Sequence, residues 1–236
     1  MNPLVQETTF FTKLLMLKAF VDVVRDIERT DDVFKISERI PDSALEAEMQ
    51  KIAIHPRAGK AFAEQPLLTV DIPALLRLPE GTLGRAYAEL MTTRGLSPDF
   101  YPPIPIVSKA KYYRLHLYQT HDLWHVVTGF QANPAGELGL QAFYYAQNEL
   151  PLSPMLLAAG ILNGLFRNPS DVPNRIAEIA RGWKMGKQAD ALFGYDWAGN
   201  WKKPLTEVRR ELGVETQTSA LPATLRLANL GAESAV

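Results

Sequence analysis

Cysteine is absent from all 236 residues. Disulfides and thiolate ligands are thereby excluded, so any bound metal must be held by nitrogen and oxygen. Net charge is scarce as well: 25 Lys and Arg against 26 Asp and Glu leave −1, with no block of one sign. Nucleic acid is therefore not an expected partner, because neutralising phosphates needs a basic face. Long apolar runs are also missing. The longest nearly uncharged stretch, Leu150 to Phe166, contains Pro151 and Pro154 and falls short of the roughly 20 apolar residues of a membrane span. The first residues, MNPLVQETTFFTKLLMLKAF, lack the basic start and small-residue cleavage site of a secretory leader. No β-type alternation of useful length occurs, which argues against a sheet.

What is present reads as an ordinary globular chain, 47% hydrophobic and 22% charged. The expectation is a soluble intracellular protein, cytoplasmic or held peripherally at the inner membrane. Helix follows helix. Phe10, Leu14, Leu17, Phe20, Val21 and Val24 recur at helical steps and predict a first helix from about Glu7 to Glu28. Mixed with Lys13 and Lys18, that helix could lie on a membrane surface or pair with a second copy in a homodimer. Shorter helices are predicted over Ser43–Ala53, broken at His55-Pro56; over Ile72–Leu76, capped by Asp71; and over Thr82–Arg94, closed by Gly95. The prolines at 98, 102, 103 and 105 force an extended loop. A long helix then runs from about Lys109 to Thr128 and stops at Gly129, and Asn133-Pro134 launches the next to about Glu149. Pro151 and Pro154 bracket the turn into an apolar helix through Phe166. Two more run from Asp171-Val-Pro173 to about Leu192 and from Pro204 to about Gly213. The expected fold is all-α: a single multi-helix domain over residues 1–214 with a mobile tail over 215–236, and a metal site between two consecutive helices.

The chemistry is concentrated in His121-Asp122-Leu-Trp-His125, followed eleven residues later by Glu137. At about 100° per residue, His121, Asp122 and His125 fall within a third of one helix circumference. An antiparallel return would bring Glu137 of the next helix to face them, as carboxylates and imidazoles do in helical-bundle metal sites. Two nitrogens with one or two carboxylates suit one divalent ion: Zn, Fe(II) or Mn, with Mg less favoured. Other chemistries fit less well. The metalloprotease pattern has Glu where Asp122 stands, and no further protease signature follows. An HD-type phosphohydrolase needs more His and Asp from other helices, and only His55 and His116 remain, His116 far round the helix from His121. Leu156-Leu157-Ala-Ala-Gly160-Ile161-Leu162 with Leu165-Phe166 is apolar nearly all round and predicts a buried helix, either plain core or a channel wall in which Ala158, Ala159, Gly160 and Gly164 leave room. Tyr144, near the Glu137 face, could line the same cavity. Arg181, Lys184 and Lys187 could steer an anionic head group.

The run HDLWHVVTGFQANPAGELGLQAF resembles the signature of the ubiquinone (coenzyme Q) biosynthesis family known as Coq-four: His-Asp-x-x-His, eleven residues, then Glu. Gly81-Thr-Leu-Gly84-Arg-Ala-Tyr87 and Gly95-Leu-Ser-Pro98-Asp99 upstream, with Trp183-Lys-Met-Gly186, Trp197 and Trp201 downstream, are similar to the same family over roughly Leu78 to Val214. The resemblance implies a helical fold and a divalent metal on His121, Asp122, His125 and Glu137. It also implies work on a polyprenyl-tailed benzoquinone precursor beside other quinone-biosynthesis proteins. Two roles are implied. One is oxidative decarboxylation with hydroxylation at ring carbon one, with Asp122 and Glu137 as the catalytic carboxylates; the other is that of a lipid-binding organiser without chemistry.

Overall fold

The structure, a computed structural model, describes residues 10–26, 30–98, 100 and 104–216, without the side chains of 10–14 and 30–32. The expected tail beyond residue 216, the ends of the first helix and much of the proline loop lie outside the described residues. Eleven α-helices are described: α1 (Phe10–Arg25), α2 (Thr30–Arg39), α3 (Asp42–Ile52), α4 (Pro56–Glu64), α5 (Ile72–Leu75), α6 (Leu83–Arg94), α7 (Lys109–Thr128), α8 (Pro134–Asn148), α9 (Leu152–Arg167), α10 (Val172–Gln188) and α11 (Leu205–Glu211). Among the described residues there is no strand, only one isolated bridge between Thr82 and Pro204.

Caps set the boundaries that matter for the site. Ser108 Oγ accepts from the Lys111 N–H at 3.1 Å and opens α7, and Gly129, at φ 73°, closes it. Asn133 Oδ1 accepts from the Gly136 N–H at 2.8 Å, and Pro134 occupies the first turn of α8. α7 runs through the middle of the molecule: Tyr112, Tyr113, Leu123, Trp124 and Val127 are all essentially inaccessible. α8 packs beside it and α10 covers α8. The approach of α10 is close because a Cβ on Gly182 would lie 1.9 Å from the Gly139 carbonyl oxygen. A smaller core cluster joins Val23 of α1, Ile36 of α2 and Leu156 of α9.

Four expectations need correction. α2 was not foreseen: its apolar residues are spaced for a helix but are diluted by Asp31, Asp32, Lys35, Glu38 and Arg39. The helix over Ser43–Ala53 does break before His55-Pro56, but an unexpected α4 starts there, with Pro56 in its first turn, where a missing N–H costs nothing. α10 ends at Gln188 rather than Leu192, because Gln147 Nε2 donates to the carbonyls of Gly186, Ala189 and Asp190 at 3.1–3.2 Å and Gln147 Oε1 takes the Leu192 N–H at 3.0 Å. α9 is buried on one side only: Leu156, Ala159 and Gly160 face inward, while Leu165 is 50% and Phe166 77% exposed. Its glycines leave no channel. Leu138 fills the space beside Gly160, and Arg175 and Val172 fill that beside Gly164.

His116 points away from the His121 face into the core. Its Nε2 accepts from the Gly194 N–H at 3.3 Å, so Nδ1 carries the proton toward the Tyr112 hydroxyl oxygen, also at 3.3 Å. Phe193 meets the ring edge to face at 4.5 Å between centroids. Burial pushes His116 down from 6.5 to about 4. The unfolded chain therefore binds a proton below 6.5 that the folded chain refuses until about 4, so this contribution to stability is complete above that window and lost as pH falls through it. Urea denaturation of wild type and His116→Gln at pH 7 and pH 5 should show the wild type losing about 2 kcal/mol more than the variant. Parallel losses would mean that His116 is protonated in the fold.

Candidate metal centre

The last turn of α7 and the first turn of α8 are joined by a short connection that both ends hold rigid. Gly129 allows the left-handed residue, and its N–H reaches the His125 carbonyl at 2.8 Å. Arg209 from α11 donates to the carbonyls of Val127 and Val126 at 2.8 and 2.9 Å, satisfying the helix end. The chain then turns so that the Phe130 carbonyl lies 3.0 Å from His125 Nδ1. That nitrogen donates, which leaves Nε2 with a lone pair only.

The lone pair faces a carboxylate. His125 Nε2 is 3.0 Å from Glu137 Oε1, and His121 Nε2 is 3.6 Å from Glu137 Oε2. The two imidazoles stand perpendicular, at 89° and 4.8 Å between centroids. One ligand atom from each of His121, His125 and Glu137 lies within 4.8 Å of the others. Tetrahedral ligands about 2.0–2.1 Å from an ion stand roughly 3.3 Å apart, so a small contraction suffices. His125 Nε2 is buried and has no hydrogen-bond donor to satisfy it. Two acceptors pressed together need a positive charge between them, and three convergent acceptor atoms fit a divalent ion. The group could thus hold a metal.

Electrostatics point the same way. With a proton rather than an ion on these imidazoles, burial still pushes the Glu137 carboxyl up, but the positive charge on His125 and the hydrogen bonds that both protonated rings then donate outweigh it and hold Glu137 well below the usual carboxylate range. Burial pushes His121 down, and the hydrogen bond and charge of Glu137, aided by Asp122, more than offset it and keep His121 above its ordinary value. Placement in the first turn of α8 also favours a carboxylate.

Of the four residues singled out, the structure brings three together. Asp122 is outside the convergent group; its charge reaches His121 and Tyr87, and after burial it is the second cause raising the Tyr87 hydroxyl. His116 and His55 do not join. His55 pairs with Asp190 at 2.7 Å on another face, so the further histidines that an HD-type phosphohydrolase site requires are absent among the described residues. Arg181 is engaged by Glu178 at 2.5 Å and by the Phe130 ring at 3.8 Å, and is no free anion receptor.

Of the surroundings, the sequence pointed to Tyr144 and missed most of the rest. His121 is part of the wall of a pocket of about 140 Å³ whose other walls include Val33, Phe34 and Ile40 around α2, Leu117 of α7, Gln141 and Tyr144 of α8, and Leu152 of α9. Tyr144 stacks on Trp124 at 4.1 Å and 9°, and lies parallel to His121 at 6.0 Å. The wall from α2 was illegible because α2 was not read. Gln141 carried a usable signal: it sits one turn beyond Glu137 on the same face.

Fold and site together define an all-α protein with a two-histidine, one-carboxylate group at an apolar pocket. Residues 4–218 match the family described as coenzyme Q (ubiquinone) biosynthesis protein Coq4, and the chain belongs to that family. The match is wider than the stretch from Leu78 to Val214 that carries the resemblance. The Caenorhabditis elegans ubiquinone biosynthesis protein is 27% identical over 212 residues, 85% of this chain and 89% of that one. The Rattus norvegicus homologue is 30% identical over 173 residues, 67% of this chain and 61% of that one. The matches to Talaromyces stipitatus and Neurospora crassa span about half of those relatives, 56% and 47%. These four relatives are named mitochondrial. A crystal structure of a Nostoc punctiforme protein assigned to ubiquinone biosynthesis superposes with a TM-score of 0.77 at 31% identity, covering 86% of this chain and 99% of that one. No described helix is long and apolar enough to cross a membrane.

Proposed function

We propose that the protein binds one divalent metal at His121, His125 and Glu137 and acts there on the ring of a polyprenylated benzoquinone precursor during ubiquinone biosynthesis. The observation that carries this reading is that one of the three convergent side chains, His121, also lines the apolar pocket. A ligand with a polar ring and an apolar tail meets both surfaces at once. At about 140 Å³ the pocket is smaller than the roughly 300 Å³ of typical small-molecule sites. It admits a ring or the first carbons of a chain, and the rest of a tail runs outward. A peripheral position at the inner membrane, from the cytoplasmic side, suits that geometry. Other quinone-biosynthesis proteins would be its neighbours.

The proposed reaction is oxidative decarboxylation with hydroxylation at ring carbon one. The bond to the carboxyl carbon breaks, carbon dioxide leaves and a hydroxyl takes its place. Balance requires dioxygen plus two electrons and two protons from a reductant, with one water released. A bound metal (Zn, Fe(II), Mn or Mg) supplies positive charge for the charge that develops on ring oxygens. The protein's own residues hold the ring beside Tyr144 and exclude water with the apolar wall. Asp122, next to His121 but outside the convergent group, would take a proton or close as a fourth ligand.

Purified protein loaded in turn with Fe(II), Mn and Zn, under air and with a two-electron reductant, should convert a short-tailed carboxylated precursor with at least one of them; failure with all three sinks the catalytic reading. If Asp122 is a base, Asp122→Asn should retain one equivalent of metal and lose about 10²-fold or more in turnover. Loss of the metal would make it a ligand. A second reading, an organiser without chemistry, draws on the way His125 and Glu137 clamp α7 to α8. It predicts that His125→Ala weakens partner binding while quinone-ring chemistry persists.

A further inference from the structure

The pocket wall next to the three-ligand group carries an amide whose donors have no protein partner among the described residues. Gln141 follows Glu137 by one turn of α8 and lines the pocket together with His121. Its oxygen is occupied: Ser153 Oγ donates to Gln141 Oε1 at 3.1 Å. Ser153 is itself fixed, 1% exposed, with its N–H on the Leu150 carbonyl at 3.1 Å. The contact orients the amide with its oxygen toward α9. Among the described residues no acceptor is bonded to Gln141 Nε2. Close by, the wall is apolar, with Leu117, Leu150 and Leu152.

Gln141 is half-buried, so water can serve its amide N–H groups until a ligand arrives, and a ligand that displaces that water without bringing an acceptor leaves them unsatisfied at a cost. An acceptor arriving with a ligand avoids that cost, and a hydrocarbon does not. Arg114, which also lines the pocket, is a donor as well, 4% exposed and tied to the Ser37 and Ile40 carbonyls. These donors favour a ligand that brings oxygen acceptors.

We propose that Gln141, oriented by Ser153, donates a hydrogen bond to a carboxylate or phenol oxygen of the ligand's aromatic head group and so selects oxygenated rings from plain prenyl chains. The proposal rests on the pocket being the ligand site, as read above.

Calorimetric titration of the full-length, metal-loaded protein tests this with two probes, 3-geranyl-4-hydroxybenzoate and geranylbenzene. Wild type should prefer the first. Gln141→Met, which keeps the volume and removes the donors, should weaken it about tenfold and leave geranylbenzene unchanged. Ser153→Ala should act in the same direction but less strongly, since it frees the amide without deleting it. Metal content and melting temperature of both variants should match wild type. Equal losses for the two probes would reduce Gln141 to packing, and an unchanged affinity for the hydroxybenzoate would remove its role, each leaving the pocket assignment standing. If wild type binds neither probe, the pocket assignment itself is wrong and this inference goes with it.

Discussion

His125→Ala should abolish stoichiometric metal binding. The side chain offers the most constrained of the three ligand atoms: 3% exposed, its ring fixed by the Phe130 carbonyl, its Nε2 3.0 Å from Glu137. Loss of an outer-shell partner of a ligating histidine costs about 10- to 100-fold in affinity. Loss of the ligand itself should exceed that, because two donor atoms are left to hold the ion. Wild type should gain about 2.7 kcal/mol of stability at a free metal concentration near 100 times its dissociation constant, and the variant nothing measurable. Elemental analysis of protein prepared without a nickel column, with melting curves over a metal series, reads both effects. Affinity of the wild type should also fall as the medium is acidified, since protons compete for the same imidazoles. His116→Ala is the control: its ring faces Tyr112 and Gly194, so metal content should be untouched. A His125→Ala protein that still carries one equivalent, with the same thermal gain, would show that these side chains are not the ligands.

The parts of the site legible from sequence are those that side-chain identity and helical spacing encode. Gly129 and Asn133-Pro134 mark the end of α7 and the start of α8 because each performs a capping job its chemistry announces. The spacing of His121 and His125 then puts two imidazoles on one face, and the tight connection brings Glu137 opposite. What spacing cannot supply is backbone. The Phe130 carbonyl that sets the His125 tautomer belongs to a turn whose path depends on tertiary contacts. The standing of Asp122 was likewise beyond reach, since a position about 100° round from His121 is compatible with joining the group or with facing Tyr87. Pocket walls are harder still. α2 contributes only when its few apolar residues, Val33 and Ile36 among them, meet partners from α1, α7 and α9. α9 shows the reverse error: an apolar composition all round was taken for burial on every side, whereas the neighbours α1, α8 and α10 cover one face.

Glycines on α8 and α10 carry the second large effect, and there the intuitive sign is wrong. In an exposed helix interior, Gly→Ala stabilises by roughly 0.5–1 kcal/mol. At Gly182 the added methyl would sit 1.9 Å from the Gly139 carbonyl oxygen and 2.8 Å from its carbon. Both are backbone atoms, so no rotamer change can relieve the overlap. α10 must instead lift from α8, and Gly182→Ala should destabilise by about 3 kcal/mol or more. The damage should reach the metal centre. Phe130 packs its ring beside Gly139, where a Cβ would meet it at 2.3 Å, and Arg181 from α10 covers the other side of that ring at 3.8 Å. The same residue's carbonyl orients His125, so separating the two helices loosens the ligand as well as the core. Gly164→Ala provides the contrast, because its nearest neighbours are side-chain atoms of Arg175 and Val172 at 3.1 Å that can yield; it should change stability far less. Urea midpoints and metal stoichiometry of the two variants separate these outcomes. A Gly182→Ala protein as stable as wild type would mean that α8 and α10 do not approach through these glycines.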